Sequence, residues 1–147
     1  MAGNMNRFIS VFAVVFTLLV HIPAIAGEPS DGPGKAAEKF YAGYVALLDA
    51  NKDTKSWVAK SKLVTADFKK SYVKKMSPKE GDALDSDPVL QAQDVPTSPF
   101  KAGKPTIKDN KATVILSAKF GSDTGRVNVQ LVLTEGVWLV DRVQAGK

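Results

Sequence analysis

A chain of 147 residues, 44% of them hydrophobic and 24% charged, has the composition of one globular domain with a real core. It contains no cysteine, which excludes a disulfide framework, a thiol nucleophile and a lipid-modified N-terminal cysteine. The formal net charge is +5, carried far more by lysine than by arginine; this favours weak association with anionic surfaces and is not by itself a sign of nucleic-acid binding.

The N-terminus reads as a leader. Arg7 supplies a positive start, Phe8 to Val20 an apolar run, and Ala24-Ile25-Ala26 a small-x-small cleavage site, so residues 1–26 are predicted to be a secretory signal peptide. The apolar run is shorter than the roughly 20 residues a spanning helix needs, and Pro23 follows it. The expected destination is a bacterial periplasm, or secretion, with no membrane-spanning segment in the mature chain. The only histidine, His21, falls inside the leader. A mature chain without His or Cys excludes Ser-His-Asp, Cys-His and His-metal sites, and removes the usual ligands of zinc, copper and haem. No cofactor and no metal is expected.

Residues 27–34 are rich in Gly and Pro and form a flexible lead-in; residues 35–147 are read as a single α+β domain. The first helix is predicted from near Gly34 to Ala50, with Ala37, Phe40, Tyr41, Tyr44, Leu47 and Leu48 on one face and Glu38, Lys39 and Asp49 facing out. Asn51-Lys52-Asp53 stops it. A short helix is expected over Ser56–Lys62, around Trp57 and Val58. Thr65 is a candidate N-cap for a third helix over Ala66–Met76, with Asp67 in its first turn. That helix has an apolar face at Phe68, Tyr72, Val73 and Met76, and a basic face at Lys69, Lys70, Lys74 and Lys75. As a binding surface the basic face would touch an anionic lipid or polysaccharide; as ordinary structure it is a solvated helix surface. No arginine is interleaved with exposed aromatics, so the footprint of a nucleic-acid binder is missing.

Ser77-Pro78 ends the third helix. The segment Asp82 to Asp94 then holds four carboxylates, Asp82, Asp85, Asp87 and Asp94. An EF-hand loop counted from Asp85 would need Gly at Leu90 and Glu at Pro96, so that pattern fails, and a non-standard Ca²⁺ site is the alternative reading of the segment. Leu84, Val89 and Leu90 suggest a packed loop in which aspartates cap turns. Gln91 and Gln93 would share one side if the segment were extended. Val95 to Gly103 is a proline-punctuated connection, Lys104–Lys108 an edge strand, and Asp109-Asn110 a turn.

Lys111 to Val143 is predicted to be a three-stranded antiparallel meander. Ala112, Val114, Leu116, Ala118 and Phe120 alternate with polar residues, Ile115 excepted, and Val127, Val129, Leu131 and Leu133 repeat the pattern. Gly121 to Gly125 joins the two strands, and Glu135-Gly136 is short enough for a tight hairpin. The last strand is apolar on both faces at Val137-Trp138-Leu139-Val140, which predicts cover on both sides. Trp138 is expected as a core anchor. The fold class is therefore α+β, with N-terminal helices packed on a curved C-terminal sheet.

The run Leu84-Asp85-Ser86-Asp87-Pro88-Val89-Leu90-Gln91-Ala92-Gln93-Asp94 resembles the hallmark of a bacterial domain-of-unknown-function family, number 3828. The order is also similar: a Phe40-Tyr41 helix before it, Lys111-Ala112-Thr113-Val114 after it, and Trp138-Leu139-Val140-Asp141 last. The match would span Lys35 to Val143. The resemblance implies an exported protein or lipoprotein with a cone-shaped fold like the nuclear transport factor 2-like and cystatin-like groups. Pro88 stands where some members carry an aromatic. The family implies no established activity and no catalytic residues.

The residues are compatible with three functions. The first is a non-catalytic binding module for a small molecule or a partner protein, with a cavity lined by Tyr41, Tyr44, Trp57, Asp85, Gln91 and Gln93. The second is an interaction or inhibitor protein of the cell envelope, acting through the edge strand at Lys104–Lys108 or the basic helix face. The third is a histidine-independent Asp/Tyr isomerase-type enzyme; no enzymatic role is the expectation.

Overall fold

The computed structural model describes residues 31–77, 79 and 84–147. The predicted leader, residues 27–30 of the lead-in, Pro78 and Asp82 lie outside the described residues.

Helix α1 (Pro33–Asp49) opens on a proline, whose missing N–H is one of the orphan donors of any first turn. Its predicted stripe is buried at Ala37, Phe40, Tyr41 and Tyr44. Glu38 does not simply face out: its Oε1 accepts the Ala102 N–H at 2.8 Å and ties the helix to the sheet. Asn51, at φ 52°, ends the helix in the left-handed region, and the N–H groups of Asn51 and Lys52 bond the carbonyls of Leu48 and Leu47. Helix α2 (Thr54–Lys60) starts two residues before the predicted Ser56, because the Asp53 side chain accepts the Ser56 N–H and sets the first turn there. Its Trp57 stacks on Phe40, with centroids 5.7 Å apart. Gly43 makes this possible: a Cβ there would stand 2.8 Å from Trp57 Cζ2. Helix α3 (Ala66–Lys75) is capped by Thr65, as its sequence requires, with Phe68 N–H donating to Thr65 Oγ1 at 3.1 Å.

Five antiparallel strands form one open sheet: β1 (Lys101–Ala102), β2 (Thr106–Lys108), β3 (Lys111–Phe120), β4 (Asp123–Thr134) and β5 (Val137–Ala145). The meander β3-β4-β5 has the predicted order, and β1 and β2 pair in succession with the free side of β3. Three local expectations need correction. The connection at Gly121 to Gly125 is much tighter, since Asp123 already pairs with Phe120 and Gly125 with Ala118. The edge is not one strand over Lys104–Lys108 but two short pieces, the first in the stretch read as a connection; Gly103 N–H bonds Ile115 O between them, and Pro105 has no N–H to continue the ladder. The last strand is covered on one face only. Trp138 and Val140 are buried, whereas Val137 is 50% exposed and Leu139 is half-buried beside its cross-strand neighbour Val132. Val and Leu suit any pleated surface that neighbours partly shield, so their presence on both faces did not require a second layer.

The three helices lie on the sheet face that presents Ala112, Val114, Leu116, Ala118, Val127, Val129 and Leu131. Those residues join the aromatics of α1 and α3 in one continuous core. Phe40 packs edge-on against Tyr41 and Phe68, and Tyr41 against Phe100 from the loop side. The outer edge of β5 is shielded at its middle, where Thr65 N–H donates to Val140 O and Val140 N–H to Leu63 O, both at 2.9 Å.

Candidate functional site

Successive turns of α1 place two phenols, Tyr41 and Tyr44, against the loop that carries the aspartates. Tyr41 Oη donates to Val89 O at 2.8 Å, and Tyr44 Oη donates to Asp87 Oδ2 at 2.7 Å. Tyr72, on the inner face of α3, shares a 2.8 Å hydrogen bond with Tyr44 Oη and a 2.9 Å hydrogen bond with Thr54 Oγ1, so a chain of hydroxyls ends on Asp87. Asp87 Oδ1 accepts the N–H groups of Val89 and Leu90, both at 2.8 Å. The loop is thereby folded on its own aspartate: Asp87 N–H bonds Ala92 O, and Gln91 N–H bonds Asp87 O. Val89 and Leu90 are driven into the core as a consequence.

Burial is the leading cause that raises the proton affinity of all three phenols; the nearby Asp87 carboxylate adds to it. Tyr41 and Tyr44 are held far above the ordinary phenol range, and Tyr72 above it. Each hydroxyl therefore stays protonated and acts as a donor. Both Asp87 oxygens already hold donors, one from a side chain and two from the backbone. The arrangement pins a loop to a helix pair, with Asp87 half-buried at the border of a recess.

The predicted lining residues are distributed as follows. Tyr41 and Tyr44 are fully buried, and Trp57 is half-buried against Phe40 and Gly43. Gln91, at φ 54°, turns back so that its Nε2 donates to Pro88 O, and Gln93 Nε2 donates to Asp85 O at 3.0 Å. The segment is turned, not extended, so the two glutamines do not form a shared row. Leu84, expected to pack, is 46% exposed. Asp85 and Gln93 border a shallow recess of about 240 Å³ beside Met76. Tyr41 borders a different groove, about 580 Å³, between the outer side of α1 and residues 96–101, with Val45, Pro96 and Phe100 along it and Lys35 and Asp49 at its ends. On α3, Lys70, Lys74 and Lys75 are exposed and Lys69 is half-buried; Lys69, Lys70 and Lys74 rim an open depression whose floor is Ala59, Ala66 and Val73. No group of three or more His, Cys, Asp or Glu side chains is placed to hold a metal among the described residues. No helix among them is long and apolar enough to cross a membrane.

Sequence reasoning missed the pairing of Asp87 with Tyr44 and the part played by Tyr72 and Thr54. The signal for Asp87 was available in the Asp-Pro-x-x order, which suits an aspartate that caps its own turn. Nothing local marks Tyr72 or Thr54, because their partners are 18 to 28 residues away.

No protein-family model matches the chain, and no curated protein matches it. Among solved structures, the chain is similar to one chain of the type VI native effector–immunity complex Tae3–Tai3 from Ralstonia pickettii. The TM-score is 0.63 at 18% identity, and the superposition covers 82% of this chain and 98% of that one. The selenomethionine form of the same complex gives a TM-score of 0.62 at 17% identity, over 78% and 97% of the two chains. At these identities the likeness is one of fold.

Proposed function

We propose that this chain is an exported interaction protein that binds, and by binding restrains, another protein of the bacterial cell envelope. The observation that carries the reading is the fold likeness over nearly the whole of a chain that occurs in an effector–immunity complex. The interior supports it: the Tyr–Asp87 network ties the loop down where a ligand-binding module would open. The same reading takes residues 1–26 as a cleaved leader, the periplasm as the compartment, membership of the 3828 family and the absence of catalysis as its corollaries. Strand addition at Lys104–Lys108 is poorly supported as the mode of binding, since that edge is broken in two and carries Pro105 and three lysines at 101, 104 and 108.

The test is affinity purification of the full tagged chain from its producing cell after mild cross-linking. A single protein recovered in constant ratio to the chain is the expected result. Recovery of the bare chain at every cross-linker dose would reject the reading.

A second reading rests on the α1 groove, whose volume and mixed apolar and charged border suit a small molecule or a short peptide. Native mass spectrometry of the purified protein would show a mass above that of the polypeptide if this groove carries a resident ligand, and Val45→Glu would remove it.

A further inference from the structure

The face of the sheet turned away from the helices has an unusual charge pattern. Register places Thr113, Ile115 and Ser117 of β3 on that face, with Arg126, Asn128, Gln130 and Val132 of β4 and Leu139 and Arg142 of β5. The edge strands add Lys101 opposite Ser117 and Lys108 opposite Lys111. Lys119 lies across from Thr124 and donates to its hydroxyl at 2.9 Å. Six exposed cations thus have positions on this face, Lys101, Lys108, Lys111, Lys119, Arg126 and Arg142, although Arg142, next to the bulge, also borders a recess of about 350 Å³ shared with Asp67 and Tyr72 of α3 and with Asp141. No carboxylate occupies a register position there. Asp123 pairs with the core-side Phe120, and Asp141, at the β-bulge, accepts from Thr65 Oγ1. The chain has arginine only at Arg7, Arg126 and Arg142, so both arginines of the described residues are on this face.

A merely solvated surface mixes the two signs, because like charges held together repel and opposite ones relieve them. The helical side of this molecule does mix them, with Glu38, Asp49, Asp53 and Asp67 among its lysines. The sheet face instead sets cations and neutral polar groups around the half-buried Val132 and Leu139 and the exposed Ile115. The aromatics of the long strands, Phe120 and Trp138, both pack with the helix-side core. The face therefore offers no ring for stacking a base and no bulky anchor for a bilayer. Arginine at two mid-sheet positions suits bidentate capture of carboxylates.

We propose that this open face is the docking surface for an acidic protein partner, with Arg126 and Arg142 as its carboxylate anchors and Ile115, Val132 and Leu139 as its apolar contact. The inference rests on the interaction reading above and gives it a surface and a partner chemistry. Charge steering across such a face would speed encounter and make binding weaken with salt.

The test places a photo-cross-linking amino acid at the position of Gln130, of Lys70 or of Ala46 in the full chain, in its producing cell. These positions report the sheet face, the basic helix and the α1 groove. The purified captured protein, and poly-L-glutamate as a defined acidic probe, are then titrated against wild type, Arg126→Glu/Arg142→Glu and Lys70→Glu/Lys74→Glu. Circular dichroism and melting confirm that each variant is folded. The expected result is capture of a net-negative protein from Gln130, at least a tenfold loss of affinity for both probes in the arginine pair, and a smaller loss in the lysine pair. Capture only from Lys70 or Ala46, or an arginine pair that binds the captured protein like wild type, overturns the docking face and leaves the interaction reading intact. Capture of nucleic acid or lipid from Gln130 overturns the partner class. Capture of nothing from all three positions rejects the interaction reading itself.

Discussion

The two faces of one sheet differ in almost every physical respect, and their strands are the same. Toward the helices, alternate residues are Ala, Val and Leu, closed over by Phe40, Tyr41, Tyr44, Phe68 and Tyr72 and by a loop tied down through Asp87. Toward solvent, the intervening residues are cations, amides and hydroxyls with a few half-exposed aliphatics. One face holds the stability, since burial of each large apolar side chain contributes about 1.5–3 kcal/mol. The other is free of that constraint and available for recognition. A change on the first face should therefore cost folding, and a change on the second should cost little.

The largest effect expected on the closed face is alkaline unfolding. All three tyrosines, Tyr41, Tyr44 and Tyr72, keep their protons in the fold because burial raises their phenol pKa. A raised folded-state pKa means that stability is whole below about pH 10, the unfolded phenol's value, and falls as pH climbs past it. Each retained proton costs about 1.4 kcal/mol per pH unit in that range. Phenolate absorbance in the native protein should stay flat through the normal tyrosine range and then rise together with the loss of helical circular dichroism. A smooth titration of the folded protein near pH 10 would break the comparison.

Trp138→Ala, on the same face, should destabilise by about 3–5 kcal/mol in urea unfolding. Asp87→Ala should cost about 2–3 kcal/mol, because it leaves two backbone N–H groups and the Tyr44 hydroxyl without their acceptor. Asp87→Asn should cost less, since its amide oxygen can still receive the loop N–H groups. Gly43→Ala should cost about 1–3 kcal/mol by pushing Trp57 off Phe40, and would show as a shift in Trp57 emission. On the open face, Arg126→Glu/Arg142→Glu and Ile115→Thr should each stay within about 0.5 kcal/mol of wild type. A large loss from either would show that the open face is part of the folding scaffold, and the contrast between the faces would lapse.

Much of this contrast was legible along the chain, wherever the period of the side chains was clean. The inner and outer rows of β3 and β4 can be read from alternation alone, and the face of α1 from its spacing of three and four. Thr65 announced its helix because a cap acts on neighbours three residues away. The readings that failed share a different physics. The edge of the sheet was misjudged because two residues, Lys101 and Ala102, make a strand only by virtue of β3 beside them. Cover over β5 was misjudged because an apolar residue reports shielding, not the identity of what shields it. The condition for a glutamine row, an extended segment, is not met because Gln91 adopts a left-handed backbone that its residue type does not signal.

The sequence by itself determined which residues face inward, where the α1 and α3 helices begin, and the order of the meander. These follow from interactions within a few residues, where periodicity and capping act. Only the tertiary structure decided that Tyr44, Tyr72, Thr54 and Asp87 meet, that Glu38 holds the sheet edge, and that six scattered cations share one face. Those are consequences of strand register and helix docking, and the separation of the partners along the chain leaves no local trace of them.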